Sequence, residues 1–201
     1  MVNFENLKLV ALGNPLLDMQ VRDGQDVLQK YGLKPNDAVL ASPEQLSIYE
    51  HLVENYQVTY VAGGAAQNTA RCAQYALPEG STAYLGCVGN DDLAQQLRAA
   101  NEREGLQSVY QVVNDTPTGS CAVVITGHDR SLCTNLGAAE KFAQSHLESA
   151  DAKAVIEAAK FFYLGGFFLT HGVESALALA KHARDTGKTF SMNLSAPFIP
   201  Q

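Results

Sequence analysis

Apolar residues fall into two spacings along this chain. Short apolar runs bounded by glycine or polar residues occur at 7–12 (LKLVAL, ending at Gly13), 81–89 (STAYLGCVG), 160–166 (KFFYLGG) and 188–194 (KTFSMNL). Runs of that length and punctuation predict buried strands. QVTYV at 57–61 predicts a further strand. Between them the spacing turns helical. Residues 43–55 place Leu46, Tyr49 or Ile48, and Leu52 or Val53 on one face, with Ser42 as N-cap and Pro43 at the first helical position. Residues 65–77 repeat Ala66, Ala70, Ala73 and Leu77. The stretch after Gly89 opens on Asn and Asp, repeats Leu93, Leu97 and Ala100, and stops at Gly105, which predicts a capped amphipathic helix. Helices are predicted also around 138–146, over 151–160, and over 173–187 with Gly187 at the C-terminus.

Strand and helix thus alternate, which implies an α/β fold: a mostly parallel sheet with helices on both faces. Two segments break the rhythm. LDMQV at 17–21 alternates apolar with polar, as a half-exposed strand does, and 119–136 reads as a hairpin around the polar tip GHDR at 127–130. They predict a small second sheet, a β lid over the main one. The whole chain, 1–201, reads as one α/β domain with lid segments near 15–41 and 118–137.

Composition narrows the function classes. With 46% hydrophobic and 17% charged residues the chain can bury a core. A formal net charge of −7 and the lack of any Lys/Arg run argue against nucleic-acid binding. Phosphates remain bindable locally, at helix N-termini and through single Arg or Lys residues. Cys72, Cys87, Cys121 and Cys133 show no C-x-x-C spacing, so buried free thiols are expected rather than zinc or redox chemistry. The start MVNFENLKLV lacks the pattern of a signal peptide, and no run reaches the roughly 18–20 apolar residues of a membrane span. The expectation is a reduced, soluble, intracellular protein with no membrane partner.

In open α/β sheets ligands sit beyond the carboxyl ends of the strands. Three polar clusters follow predicted strands there: Gly13, Asn14 and Asp18 in GNPLLD, Asn68 in GGAAQN, and Asn193 in NLSAP. Gly63 and Gly64 end an apolar β-branched run and a helix starts directly after them. That is either a plain strand-to-helix turn or a place where a ligand approaches the backbone at a helix N-terminus. Asn68, a polar amide on an Ala-rich face, needs a partner. Asp18 lies between Leu16, Leu17 and Met19, either as a turn aspartate satisfied by local backbone or as an acceptor. Together Asp18, Asn14 and Asn68 suit vicinal hydroxyls, because one carboxylate can accept from two adjacent hydroxyls.

AGGAAQNTARCAQYALPEGSTAYLGCVG resembles the first signature of the ribokinase-like (pfkB) sugar kinase family. GNPLLDM, GCVGND, TPTGSCAVVITGHDRSL, NLGAA, GGFFLT and NLSAPFI are similar, in order and spacing, to segments of the adenosine kinase branch of that family. The resemblance implies a ribokinase-like fold and a monomeric kinase of purine salvage that forms AMP from adenosine, with ATP as co-substrate and Mg2+. It implies a cytoplasmic location, with the nucleus as a second one. It implies that Asp18 and Asn68, with Gly63 and Gly64, hold the ribose hydroxyls and that Asn14 lies beside them. Leu16, Leu40, Leu132, Leu136 and Phe168 would line an adenine pocket with Cys121 near the base. Arg130, at the hairpin tip, would reach the transferring phosphate. Read without the resemblance, Arg130 is equally a solvated turn residue and Phe168 a core residue. The family's D-T-x-G-A-G-D motif, with its catalytic aspartate, does not occur in the 201 residues. The expectation is therefore the nucleoside-binding half of such a kinase, with the C-terminal part of the fold missing and no activity on its own. A kinase for another nucleoside or sugar, and a non-catalytic nucleoside-binding fragment, are the alternatives.

Overall fold

The computed structural model describes residues 6–196, 199 and 200. Pro197 and Phe198 of the NLSAPFI segment, the first five residues of the N-terminal stretch and Gln201 lie outside the described residues. In chain order the elements are β1 (Leu9–Leu12), β2 (Leu16–Arg22), α1 (Gln25–Tyr31), β3 (Ala38–Leu40), α2 (Ile48–Asn55), β4 (Thr59–Gly63), α3 (Ala65–Ala76), β5 (Thr82–Gly89), α4 (Asp92–Arg103) and β6 (Gln107–Val113). There follow β7 (Gly119–Thr126), β8 (Asp129–Asn135), α5 (Ala150–Ala158), β9 (Phe161–Leu164), α6 (Val173–Asp185) and β10 (Thr189–Met192).

Two five-stranded sheets result. The main sheet has the order β10-β9-β1-β5-β6 and is parallel throughout. Leu9 of β1 sits opposite Thr82 of β5 on one side and Phe161 of β9 on the other. Alternate residues of each strand enter opposite layers. Val10, Leu12, Ala83, Leu85 and Phe162 pack against Val155 and Ile156 of α5 and Leu179 of α6. Ala11, Tyr84 and Val88 pack against Ala66 and Ala70 of α3 and Leu97 of α4. Helices therefore cover both faces, as the alternation of strand and helix predicts. The cap of α4 forms as expected, with Asp91 Oδ1 accepting from the Ala94 N–H at 2.9 Å.

The second sheet has the order β3-β8-β7-β2-β4. Its β7–β8 hairpin is antiparallel, whereas β2 runs parallel to β7. One face packs on α1 and α2 through Val21, Val27, Leu28, Ile48, Leu52, Ala122, Val124 and Cys133. The other face is open only in part: Asp18 and Leu132 are half-buried there, and Cys121 and Val123 are buried. The strand expected at 57–61 belongs to this sheet: β4 is its edge, antiparallel to β2, with Thr59, Tyr60 and Val61 exposed.

Several expectations need correction. The helix around 138–146 is two 3-10 turns, Gly137–Lys141 and Gln144–Glu148. The Gln111 side chain holds the break open, donating to the Lys141 carbonyl and accepting from the Ala143 N–H, so these backbone groups need no helix to be satisfied. The helix expected over 43–55 divides into a 3-10 turn at Pro43–Gln45 and α2. Gln45 Oε1 accepts from the Ser42 N–H at 3.0 Å, closing the first turn separately. Cys72 is exposed on α3; Cys87, Cys121 and Cys133 are buried thiols as expected. The helix α1 and the strands β3 and β6 were not anticipated from the pattern of apolar residues.

Candidate functional site

A cleft partly open to solvent lies where the carboxyl ends of the main-sheet strands meet the second sheet. Asn14 follows β1, Gly165 and Phe168 follow β9, and Ser195 follows β10. The opposite wall comes from alternate residues of the second sheet: Leu16 and Asp18 of β2, Leu40 of β3, Cys121 of β7, and Arg130 and Leu132 of β8. Gly64 and Asn68 enter from the N-terminus of α3, and Leu136 from the end of the hairpin. Of the residues singled out from sequence, Gly13, Gly63 and Asn193 do not line this space.

Gly63 lies under Asp18 rather than in the wall. A Cβ on Gly63 would stand 2.1 Å from Asp18 Oδ1, so the carboxylate occupies the room a side chain would need. Gly64 has φ +88 and a Cβ there would lie 2.3 Å from the Asn14 carbonyl oxygen. Both glycines are therefore required by close approach, and Gly64 also by its left-handed backbone. Asn193 is a strap: its Oδ1 accepts from the Gly166 N–H at 2.7 Å and the Ser195 hydroxyl at 2.9 Å.

The Asp18 carboxylate makes no hydrogen bond to any described residue. Burial pushes its carboxyl up to about 6, a rise that Arg130 partly opposes. A carboxylate held in that state gains from any ligand hydroxyl that donates to it. Arg130 is not at the hairpin tip. It is the second residue of β8, paired with Ile125, and the tip is the two-residue turn Gly127-His128. From that strand position Arg130 lines the cleft and its charge reaches Asp18, while the residue remains exposed.

The two asparagines are held from behind. Asn68 is not on the Ala-rich buried face of α3: the buried amides there are Gln67 and Gln74, and Asn68 stands on the exposed side, toward the cleft. Gln67 is tied to Tyr110 and Asn101, which satisfies it in the core. Asn68 Oδ1 accepts from Arg71 Nη1 at 3.3 Å. Asn14 is 7% exposed, and its Oδ1 lies 3.0 Å from His171 Nε2. Burial pushes His171 down to about 4, so the imidazole is neutral near pH 7. The Asn14 Nδ2 is buried with no partner among the described residues.

The remaining wall is apolar. Leu16, Leu40, Leu132 and Leu136 surround Cys121, whose thiol burial pushes up to about 12 and which accepts from Thr134 Oγ1 at 3.2 Å. Phe168 is both wall and core: it lines the cleft, yet is 1% exposed and packs edge-on against Phe142. Thr134, Phe167 and Ser195 line the cleft and were not singled out from sequence. The period-two alternation of β8, from Arg130 through Leu132, was the signal that reaches Thr134. Among the described residues no group of three or more His, Cys, Asp or Glu side chains could hold a metal ion.

Comparison with known proteins gives a consistent result. Residues 26–201 match the pfkB family of carbohydrate kinases. The chain is 58% identical over 194 residues to an adenosine kinase of Schizophyllum commune, covering 96% of this chain and 56% of that protein. It is 50% identical over 195 residues to an adenosine kinase of Schizosaccharomyces pombe, again covering 96% and 56%. The chain thus spans a little over half the length of these curated relatives. Among solved structures, the adenosine kinase of Anopheles gambiae in complex with P1,P4-di(adenosine-5) tetraphosphate superposes with a TM-score of 0.93 at 45% identity, covering 100% of this chain and 59% of that one. The adenosine kinase of Schistosoma mansoni in complex with adenosine superposes with a TM-score of 0.92 at 31% identity, covering 100% and 58%. The match over residues 26–201, on a fold whose strand ends converge on one cleft, shows that this chain belongs to the pfkB family of carbohydrate kinases.

Proposed function

We propose that this chain is the nucleoside-binding half of an adenosine kinase, which transfers a phosphoryl group from ATP to the 5′-hydroxyl of adenosine to give AMP and ADP. The observation that carries the reading is the division of the cleft into two chemistries. One end presents Asp18, Asn14 and Asn68; the other presents Leu16, Leu40, Leu132, Leu136 and Phe168. A purine riboside has the same division, a flat apolar base joined to a diol. A bare sugar would leave the leucine wall unused, which weighs against a sugar as substrate. Relatives named adenosine kinase support the same choice.

In this reading Asp18 accepts from the ribose hydroxyls while Asn68 and Asn14 donate to them, and Gly63 and Gly64 let the ribose approach the backbone. The leucines and Phe168 hold the base, with Cys121 beside it. Arg130 lies across from Asp18 and offsets charge on the phosphoryl group as it transfers. Asp18, the one carboxylate lining the cleft among the described residues, is committed to the diol in this reading, so these 201 residues alone bind nucleoside without turnover. In this reading Mg2+ enters with the ATP phosphates. The reaction would serve purine salvage in the cytoplasm and the nucleus, catalysed by a monomer. Titration calorimetry with adenosine and with ribose tests the binding half. Adenosine affinity well above that for ribose supports it, and equal affinity sinks it. A coupled ADP-release assay with adenosine, ATP and Mg2+ tests the rest: turnover by residues 1–201 at roughly 1–100 per second, ordinary for a kinase, would show that the catalytic groups lie within them.

A further inference from the structure

We propose that Arg71, clamped by Glu104, is the positioning residue that turns the Asn68 amide donor-first into the cleft, and so sets the site's demand for an intact hydroxyl pair. The proposal rests on the nucleoside reading and deepens it.

An asparagine amide has two chemically opposite ends of nearly the same shape, and the site's selectivity depends on which end faces the ligand. A guanidinium has only N–H donors. The atom that faces Arg71 Nη1 at 3.3 Å is therefore the Asn68 oxygen, and the NH2 end remains for the cleft. No described residue accepts from that NH2 group, and Asn68 lines the cleft. Asn68 and Arg71 stand three residues apart on α3, which places them on one face of the helix.

Arg71 is itself fixed from two other elements. Its Nε donates to Glu104 Oε2 at 2.7 Å and its Nη2 to Glu104 Oε1. Glu104 is the C-cap residue of α4. Nη1 also donates to the Ala62 carbonyl of β4 at 2.9 Å. The forked pair with Glu104 sets the plane of the guanidinium, which a lysine ammonium could not do. With a 20% exposed side chain, Arg71 is not a free surface cation.

The consequence for a ligand follows from proton counting. Asp18, when ionised, only accepts. A hydroxyl has one proton to give Asp18 and lone pairs to take an N–H from Asn68, so it satisfies both. Were the Asn68 oxygen turned to the cleft, a hydroxyl could donate to only one of two facing acceptors. A deoxy carbon satisfies neither group. The His171–Asn14 contact does not impose the same choice, because a neutral imidazole nitrogen can donate or accept.

The test is titration of adenosine, 2′-deoxyadenosine and 3′-deoxyadenosine into the intact chain and into Arg71→Met, Arg71→Lys and Glu104→Gln. Arg71→Met keeps the stem and removes the donors. It is expected to weaken adenosine about tenfold while weakening the deoxy analogue that lacks the Asn68-bound hydroxyl far less, so that the preference for adenosine collapses by about five- to tenfold. Arg71→Lys should restore part of the preference, since an ammonium still donates to the Asn68 oxygen. Weakening of all three nucleosides by one common factor would make Arg71 a packing residue and overturn the proposal. If Arg71→Met does not fold, Glu104→Gln carries the test, with a smaller loss of preference in the same direction expected and an unchanged preference overturning the proposal. A parent chain that binds none of the three would overturn the nucleoside reading and this proposal with it. A parent chain that prefers adenosine, with Arg71→Met keeping that preference in full, would overturn this proposal alone.

Discussion

The two sheets have five strands each and put them to different use. In the main sheet every residue of β5 is buried, because α3 and α4 cover one face and α5 and α6 the other. In the second sheet α1 and α2 cover one face; β2 alternates accordingly, while β7 is buried on both sides from Cys121 to Val124. The uncovered face carries Asp18, Cys121, Arg130 and Leu132. A strand with both faces buried has no side chain left for a ligand. A strand with one face free offers every second residue, held by a backbone that its buried face keeps in place. Rigidity comes from one set of residues and chemistry from the residues between them, along the same strands.

That contrast can be broken by mutation, starting with the main sheet. Phe162→Ala, at a position 0% exposed, is expected to destabilise the fold by about 3–5 kcal/mol, read by urea unfolding. A cost below about 1 kcal/mol would mean that the main sheet is not the rigid partner. On the open face of the second sheet, Asp18→Ala should instead cost no unfolding stability near pH 7 and should raise it, because it removes a carboxylate that burial disfavours. Its effect falls on adenosine affinity, which should drop by about 2–4 kcal/mol as charge-assisted hydrogen bonds are lost. Calorimetry decides, and unchanged affinity would remove Asp18 from the site.

The same residue predicts a pH effect whose sign separates folding from binding. The folded carboxyl titrates near 6, above its ordinary value of 3.8, so between those values the folded state holds more proton than the unfolded one. Stability from this group is therefore present below about pH 4 and is lost as pH rises through 6. Binding by hydroxyl donation requires the carboxylate, so affinity should change the other way, falling up to about tenfold per pH unit below 6. Asp18→Asn should flatten the profile. An affinity that does not vary between pH 5 and 7 in the parent chain would disconnect this carboxyl from the ligand. The smallest effect is expected for Leu132→Ala, a half-buried wall residue. It should cost the fold no more than about 1 kcal/mol, yet weaken adenosine more than it weakens ribose. Equal weakening of both would take the leucine wall out of base recognition.

Legibility in the sequence followed the same division. The continuous apolar run of β5 and the capped helix α4 were readable because burial on both faces and a side-chain cap leave local marks. The strand β6 was not, since Gln107, Ser108 and Gln111 interrupt any period, and the side chain of Gln111 is placed by a contact with a distant segment, Lys141. The strand β4 was readable as a strand but not as a member of the second sheet, because strand pairing is a tertiary choice. In the cleft, residues directly after strands were found by position alone. Thr134 needed the register of β8, and Arg71 and His171 act through an asparagine, which no local motif reveals.

Two of the four crossings between the sheets among the described residues, at Gly13-Asn14-Pro15 and at Gly64, run so close that a Cβ at Gly64 would strike the Asn14 carbonyl oxygen. Asn14 and Gly64 both line the cleft. Any hinge between the two halves of the molecule at these crossings therefore turns about a point in the cleft wall. A bound molecule touching both crossings works as a wedge in a joint, resisting rotation with the same contacts that hold it.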